Sequence, residues 1–422
     1  MKKNFYAIAL ACLGLGTFAA QAQDQRASSV DLSSQMPTRQ CATMDVLEAQ
    51  MAADPSLAKR MAAVERHTAQ AVANTANRVN AIVTIPVVVH VVYNTAAQNV
   101  SQAQIDAQIK VLNDDFAKAN SDASLIPSAF TGVAAGTNVR FVLAQRTPTG
   151  APTTGVVRRS TKTRSFSSND FVKYTSKGGS DAWPASQYLN LWLCNLGQGL
   201  LGYAQFPGGA AATDGVVCLY SSVPGGTASN YNKGRTATHE VGHWLNLRHI
   251  WGDANCGNDL VSDTPTQQTS NGGCPTFPKV TCGNQGDMSM NYMDYTYDAC
   301  MYMFTMGQSA RMDALFASGG SRASLATSLG GTAPRAAAAT ISAATEVAMY
   351  PNPASNVLNL TLPQTTATKG WSVQVYDLRG HQMKQAVYNG QGQVSVAQLP
   401  KGLYQMTLTD GQQTIRQRFE KQ

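Results

Sequence analysis

Charge is scarce in this chain. Asp, Glu, Lys and Arg make up 14% of its 422 residues, against about 25% in an ordinary soluble domain, which leaves the surface largely to Ser, Thr, Asn, Gln and Gly. Basic residues exceed acidic ones by seven. Those that gather, Arg158, Arg159, Lys162 and Arg164, have no interleaved aromatics and no accompanying nucleic-acid motif, so the pattern reads as a solvated strand or loop and excludes a nucleic-acid partner. Beyond the amino terminus no run approaches the roughly 20 apolar residues needed to cross a bilayer, so no transmembrane segment is expected. Internal repeats are absent. An even set of cysteines is missing too: of the eight, Cys12 falls in the leader, and the remaining Cys41, Cys194, Cys218, Cys256, Cys274, Cys282 and Cys300 leave at least one without an internal partner.

At this length one ordinary core does not account for the chain, and its texture divides it. Lys2 and Lys3, the apolar run Phe5 to Ala20 and the small-x-small Ala20-Gln21-Ala22 define a signal peptide over 1–22. Ala9, three residues before Cys12, replaces the leucine that a lipid-anchor signal requires. The product is expected outside the cell, where disulfides persist. Residues 23–78 are rich in Ala, Gln and Met, with weak helical signals from Val46 to Val72, and read as a removable pro-segment. A folded domain over 79–318 begins with IVTIPVVVHVVY from Ile82, a β-branched run suited to a strand covered on both faces. A helix follows, marked by the capping-box pair Ser101 and Gln104 and by Ile105, Ile109, Leu112 and Phe116 on one face. Further strands are expected from Val139, Tyr188 and Asp214, around a long helix near Thr236, and a second amphipathic helix starts at Met306. This is an α/β pattern. Residues 319–345 are nearly all Gly, Ala, Ser and Thr and read as a linker. Over 346–422, alternation at Leu358, Leu360 and Leu362 and at Trp371, Val373 and Val375, with an Asp410-Gly411 turn, predicts a small all-β sandwich.

Residues 239–249 read HEVGHWLNLRH. Positions four apart share a helix face, so His239 and His243 converge on one metal ion while Glu240 projects beside them. His249 lies six residues further on and needs a sharp turn; Asn246, tolerant of positive φ, is placed to make it. Three histidines leave zinc a fourth position for water, whose pKa falls to about 7. Glu240 is then the general base that takes a proton from this zinc-bound water during hydrolysis. A zinc-retaining binding or adhesion protein without turnover is the rival reading, and it has no need of Glu240. A closed structural zinc site would require a fourth protein ligand.

With HEVGHWLNLRH and the downstream NYMDY, the segment from about Ile82 to Ala317 resembles the pappalysin family of metzincin zinc peptidases, in its cytophagalysin-like branch. The resemblance implies a twisted mixed sheet with a long active-site helix and endopeptidase activity on protein or peptide substrates. It also implies that Met293 forms the Met-turn beneath the zinc and that Tyr295 assists catalysis. Four loop cysteines allow three pairings; the family pattern implies Cys256 with Cys282 and Cys274 with Cys300. Cys194 and Cys218 pair only if their strands lie close. Cys41, in RQCAT, resembles a cysteine switch whose thiolate takes the zinc position in a latent zymogen. Asp259, the Val261 carbonyl and Thr264 match a calcium loop of relatives. Some relatives prefer Lys or Arg through an aspartate before the last cysteine; Ala299 stands there, with Asp298 adjacent. Residues 346–422, with MYPNPASN, VYDLRG and LPKGLYQMTL, resemble the C-terminal sorting domain of type IX secretion cargo, implying that machinery as a partner and export through the outer membrane. A monomer is expected.

Overall fold

The computed structural model describes residues 40–74, 81–334, 347–362, 370–411 and 414–422. The signal peptide expected over 1–22 lies outside them. The chain divides into two units, one ending at Pro334 and one beginning at Arg335.

The first unit opens with helices α1 (Thr43–Ala53) and α2 (Ser56–Ala73). The β-branched run then forms β1 (Val83–Tyr93), the centre of a six-stranded sheet. Along one edge β1 pairs in parallel first with β2 (Val139–Leu143) and then with β3 (Val156–Ser160), the strand that carries Arg158 and Arg159. On its other side follow β4 (Leu189–Cys194) and β6 (Val216–Leu219), both parallel, and the short antiparallel β5 (Gly202–Ala204) at the edge. The sheet is therefore mixed, and β1 is buried on both faces.

Alternate residues serve different cores. Val83, Ile85, Val87, Val89 and Val91 face α3 (Gln102–Phe116), α4 (Arg235–Trp244) and α5 (Met306–Ala314), while Val92, Trp192 and Tyr203 face a second cluster that includes Ala42 and Val46. Ser101 and Gln104 complete the capping box that starts α3. The same alternation explains Cys194 and Cys218. Their strands are neighbours, but Cys194 is level with Leu219 and Cys218 with Leu193, so the two side chains leave opposite faces of the sheet and no disulfide joins them.

Residues 319–334, expected within the linker, instead pack onto this unit. Leu325 is buried in the main core, and buried Arg322 lies over the Trp244 ring at 3.7 Å, pairs with Asp214 at 3.0 Å and donates to the Trp244 carbonyl at the end of α4. Small residues do not exclude packing when one guanidinium has a helix terminus and a carboxylate to bind. Among the described residues the second unit contains seven antiparallel strands in sheets of four and three, with Leu358, Leu360 and Val394 from one and Val375, Met406 and Phe419 from the other filling a single core. It is a small β-sandwich.

Candidate metal centre

Helix α4 presents His239 and His243 one turn apart, and the chain then reverses. Asn246 adopts φ 66°, the left-handed conformation that brings His249 back toward the same point. Nε2 of His243 lies 3.1 Å from Nε2 of both His239 and His249. Outward, Nδ1 of His239 donates to the Tyr292 carbonyl at 2.7 Å and Nδ1 of His243 to the Leu247 carbonyl at 2.8 Å. Nδ1 of His249 meets the Asp253 carboxylate. Those acceptors fix the proton on Nδ1, so three Nε2 lone pairs point at one another. Burial pushes the His243 imidazole well below its ordinary pKa, and the three nitrogens could hold a metal ion. A tridentate nitrogen set of this kind fits zinc.

The fourth corner is Cys41, whose Sγ completes, with the three histidines, a group of ligand atoms within 4.8 Å of one another. Burial and the facing Glu240 carboxylate push its thiol well up, and a thiolate there also calls for a metal ion. Cys41 reaches the site because residues 40–43 lie along edge strand β5. Leu201 donates its N–H to the Gln40 carbonyl, Ala42 donates to the Gly202 carbonyl, and the Ala204 N–H donates to Thr43 Oγ1 at 2.9 Å. Thr43 donates in turn to Glu240 Oε2 at 3.0 Å, and Cys41 Sγ stands 3.4 Å from that same oxygen.

Gly202 and Gly242 are fixed by contact. A Cβ on Gly202 would lie 2.8 Å from Glu240 Cγ, and one on Gly242 would lie 2.4 Å from Met293 Sδ. Buried Met293 thus sits against the helix that carries the histidines. The Tyr295 hydroxyl lies 3.1 Å from His249 Nε2 and 3.3 Å from the Cys41 carbonyl. The structure therefore brings His239, His243, His249, Glu240, Cys41, Met293 and Tyr295 together. Cys256 bonds to Cys282, and Cys274 to Cys300. Asp259, the Val261 carbonyl and Thr264 also meet, with Thr264 Oγ1 within 3.0 Å of both partners.

Three neighbours escaped the sequence reading. Thr43 occupies the base, its only signal being its position two residues after Cys41. Asp253 orients His249 from four residues on, and Trp251 stacks on the His249 ring at 4.3 Å. Asp298 is buried, and its carboxylate accepts the backbone N–H groups of Lys233 and Arg235 at the start of α4. Its Oδ2 thereby holds the turn that leads into α4.

A mixed sheet over a helix of this sequence, with three convergent imidazoles and a buried methionine against that helix, defines a metallopeptidase of the metzincin class. The chain belongs to the pappalysin family. The peptidase M43 family model, described as pregnancy-associated plasma protein-A, matches residues 173–317, and the secretion system C-terminal sorting domain matches 348–422. An extracellular metalloprotease of Pyricularia oryzae is 34% identical over 286 residues, 65% of this chain and 83% of that protein. Mature mirolysin of Tannerella forsythia, solved in complex with a cleaved peptide, is 52% identical, with TM-score 0.58, covering 59% of this chain and 97% of that one. A glutamate-to-alanine mutant of promirolysin from the same organism is 46% identical, with TM-score 0.61, covering 68% and 95%. The protein is a metalloendopeptidase exported by its sorting domain to the cell surface or medium. Among the described residues no helix is long and apolar enough to cross a membrane.

Proposed function

We propose that the chain is the latent precursor of a zinc endopeptidase, with His239, His243 and His249 holding the metal and Cys41 blocking its fourth position. The observation that carries this reading is the convergence of three Nε2 atoms and one Sγ beside Glu240. Zinc bound there supplies Lewis-acid polarisation of the scissile carbonyl and a water of lowered pKa. Once residues 40–43 leave, the freed edge of β5 offers its backbone groups to an extended substrate. Glu240, released from Thr43, takes the proton of the attacking water and passes it to the leaving amine. Tyr295 stands ready to donate to the developing oxyanion. In the precursor, residues 40–43 take the substrate's strand position, Cys41 takes the metal's open position and Thr43 takes the base.

The oxygens of Asp259, Val261 and Thr264 form the second part of the proposal, a calcium site in the loop before α5. Calcium titration should raise the thermal midpoint of the wild type but not of Asp259→Ala. For catalysis, wild-type and Glu240→Ala chains are matured and tested on casein, with zinc content measured in both. The expected result is equal zinc and casein cleavage lost by at least about a hundredfold in Glu240→Ala; equal rates would sink the assignment in favour of a binding protein. Cys41→Ala should cleave casein without processing, and a variant still silent until cut would remove the switch.

A further inference from the structure

The pro-segment holds the catalytic unit at a second place, away from the metal. Glu65, on α2, accepts from Asn246 Nδ2 at 2.8 Å and from Arg311 Nη2 at 3.0 Å through each of its carboxylate oxygens. Asn246 makes the left-handed turn that delivers His249, and Arg311, on α5, also donates to the Asn246 carbonyl at 3.3 Å. Both residues are almost fully buried, and Arg311 Nε has no hydrogen-bond partner. A guanidinium and a carboxamide held in that way, with one donor still unmet, form a built receptor for a carboxylate.

The contact does not stand alone. Between Cys41 and Glu65, Leu47, Leu57 and Met61 bury Phe206, whose ring lies 5.6 Å from that of His243, and Arg60 donates to the Gly208 carbonyl at 2.7 Å. Beyond Glu65, His67 Nε2 reaches the Ala314 carbonyl at 3.1 Å. Residues 40–74 thus carry a complete set of contacts with the catalytic unit that does not depend on the covalent connection after α2. Lys59 and Arg60 lie inside α2, in helical backbone that must unwind before a protease can take it as an extended substrate.

We infer that Arg311 and Asn246 form a carboxylate-binding exosite through which the pro-segment, once severed beyond α2, stays on the enzyme as a two-point inhibitor in trans. Cys41 and Thr43 occupy the catalytic groups, Glu65 occupies the exosite, and in the wild type full activity appears only when the segment departs. This inference rests on the zymogen reading above.

The test uses the full-length precursor, wild type and with Glu65→Gln, Glu65→Ala or Cys41→Ala, activated with trace mature enzyme. Chain cleavage is followed by mass spectrometry, casein hydrolysis in parallel, and retention of the cut segment by gel filtration. Glu65 is replaced rather than Arg311 so that the catalytic unit keeps its sequence. In the wild type the cut segment should co-elute and activity should lag cleavage. Both Glu65 variants should shorten the lag and release the segment about tenfold faster, since hydrogen bonds to a charged group are lost, while their uncut forms stay latent through Cys41. Cys41→Ala, which keeps Thr43 on the base but loses the metal contact, should show only partial activity before cleavage and still retain the cut segment through Glu65. Glu65 variants that lag and co-elute as the wild type does would overturn the exosite alone. An uncut wild type as active as its cut form would overturn the exosite together with the zymogen reading.

Discussion

Gly242 separates His239 from His243 by a residue with no side chain because Met293 Sδ occupies the space where a Cβ would stand. Gly242→Ala should force either the helix or the methionine aside, an overpacking that costs about 1–3 kcal/mol, seen as a lower thermal midpoint and weaker zinc retention. Asp253 makes a different demand. His239 and His243 donate to neutral carbonyls, whereas His249 Nδ1 meets a carboxylate, an outer partner that orients a metal-ligating imidazole and fixes its tautomer. Asp253→Ala should weaken zinc binding about 10- to 100-fold in a chelator competition, and Asp253→Asn, which keeps an acceptor without the charge, should fall between. An unchanged zinc affinity in both would reduce Asp253 to a loop residue.

The loops between His249 and α5 have little regular structure to hold them. Two disulfides with a sequence separation of 26 each do that work, and Cys256→Ser or Cys274→Ser should each cost about 3–4 kcal/mol, measured by denaturant unfolding under oxidising conditions. Asp294 ties the same loops to the segment of Met293 and Tyr295, accepting from Gln267, Asn271 and the Tyr295 N–H. Burial outweighs those bonds and pushes its carboxyl up to about 6. The folded state therefore holds this proton more tightly than the unfolded chain, whose aspartate titrates near 4. The resulting stabilisation is full below about pH 4 and is lost as pH rises through about 6. Wild type and Asp294→Asn should thus diverge in thermal midpoint between pH 4 and 6, the wild type losing ground; parallel curves would contradict the burial argument.

At the scale of the whole molecule the two units answer to different requirements. The first contains the sheet, the histidines and helices α1 and α2, and its boundary at Pro334 lies beyond the Arg322 anchor at the end of α4. A chain ending at Pro334 should fold, bind zinc and mature, but should not reach the medium because the sorting domain at 348–422 is gone. A chain ending at Ser318 loses Arg322 and Leu325 and should be less stable than the longer one, compared by thermal unfolding. Equal midpoints would make 319–334 the linker that its composition suggests.

Much of the site was legible in the sequence because it is local. HExxH places two imidazoles and a carboxylate by helix geometry alone, Asn246 is among the few side chains that accept the turn, and the capping box of α3 is a contact within four residues. The run of β-branched residues likewise announced β1. What tertiary structure decided involves groups far apart in the chain. Thr43 meets Glu240 across 197 positions and Glu65 meets Arg311 across 246, and no periodicity records such encounters. Arg322 turned an apparent linker into a helix clamp, and the pleat of β4 and β6 kept Cys194 from Cys218 though their strands touch. Spacing along one element fixes which side chains share a face; which faces then meet is set by the packing of the whole chain.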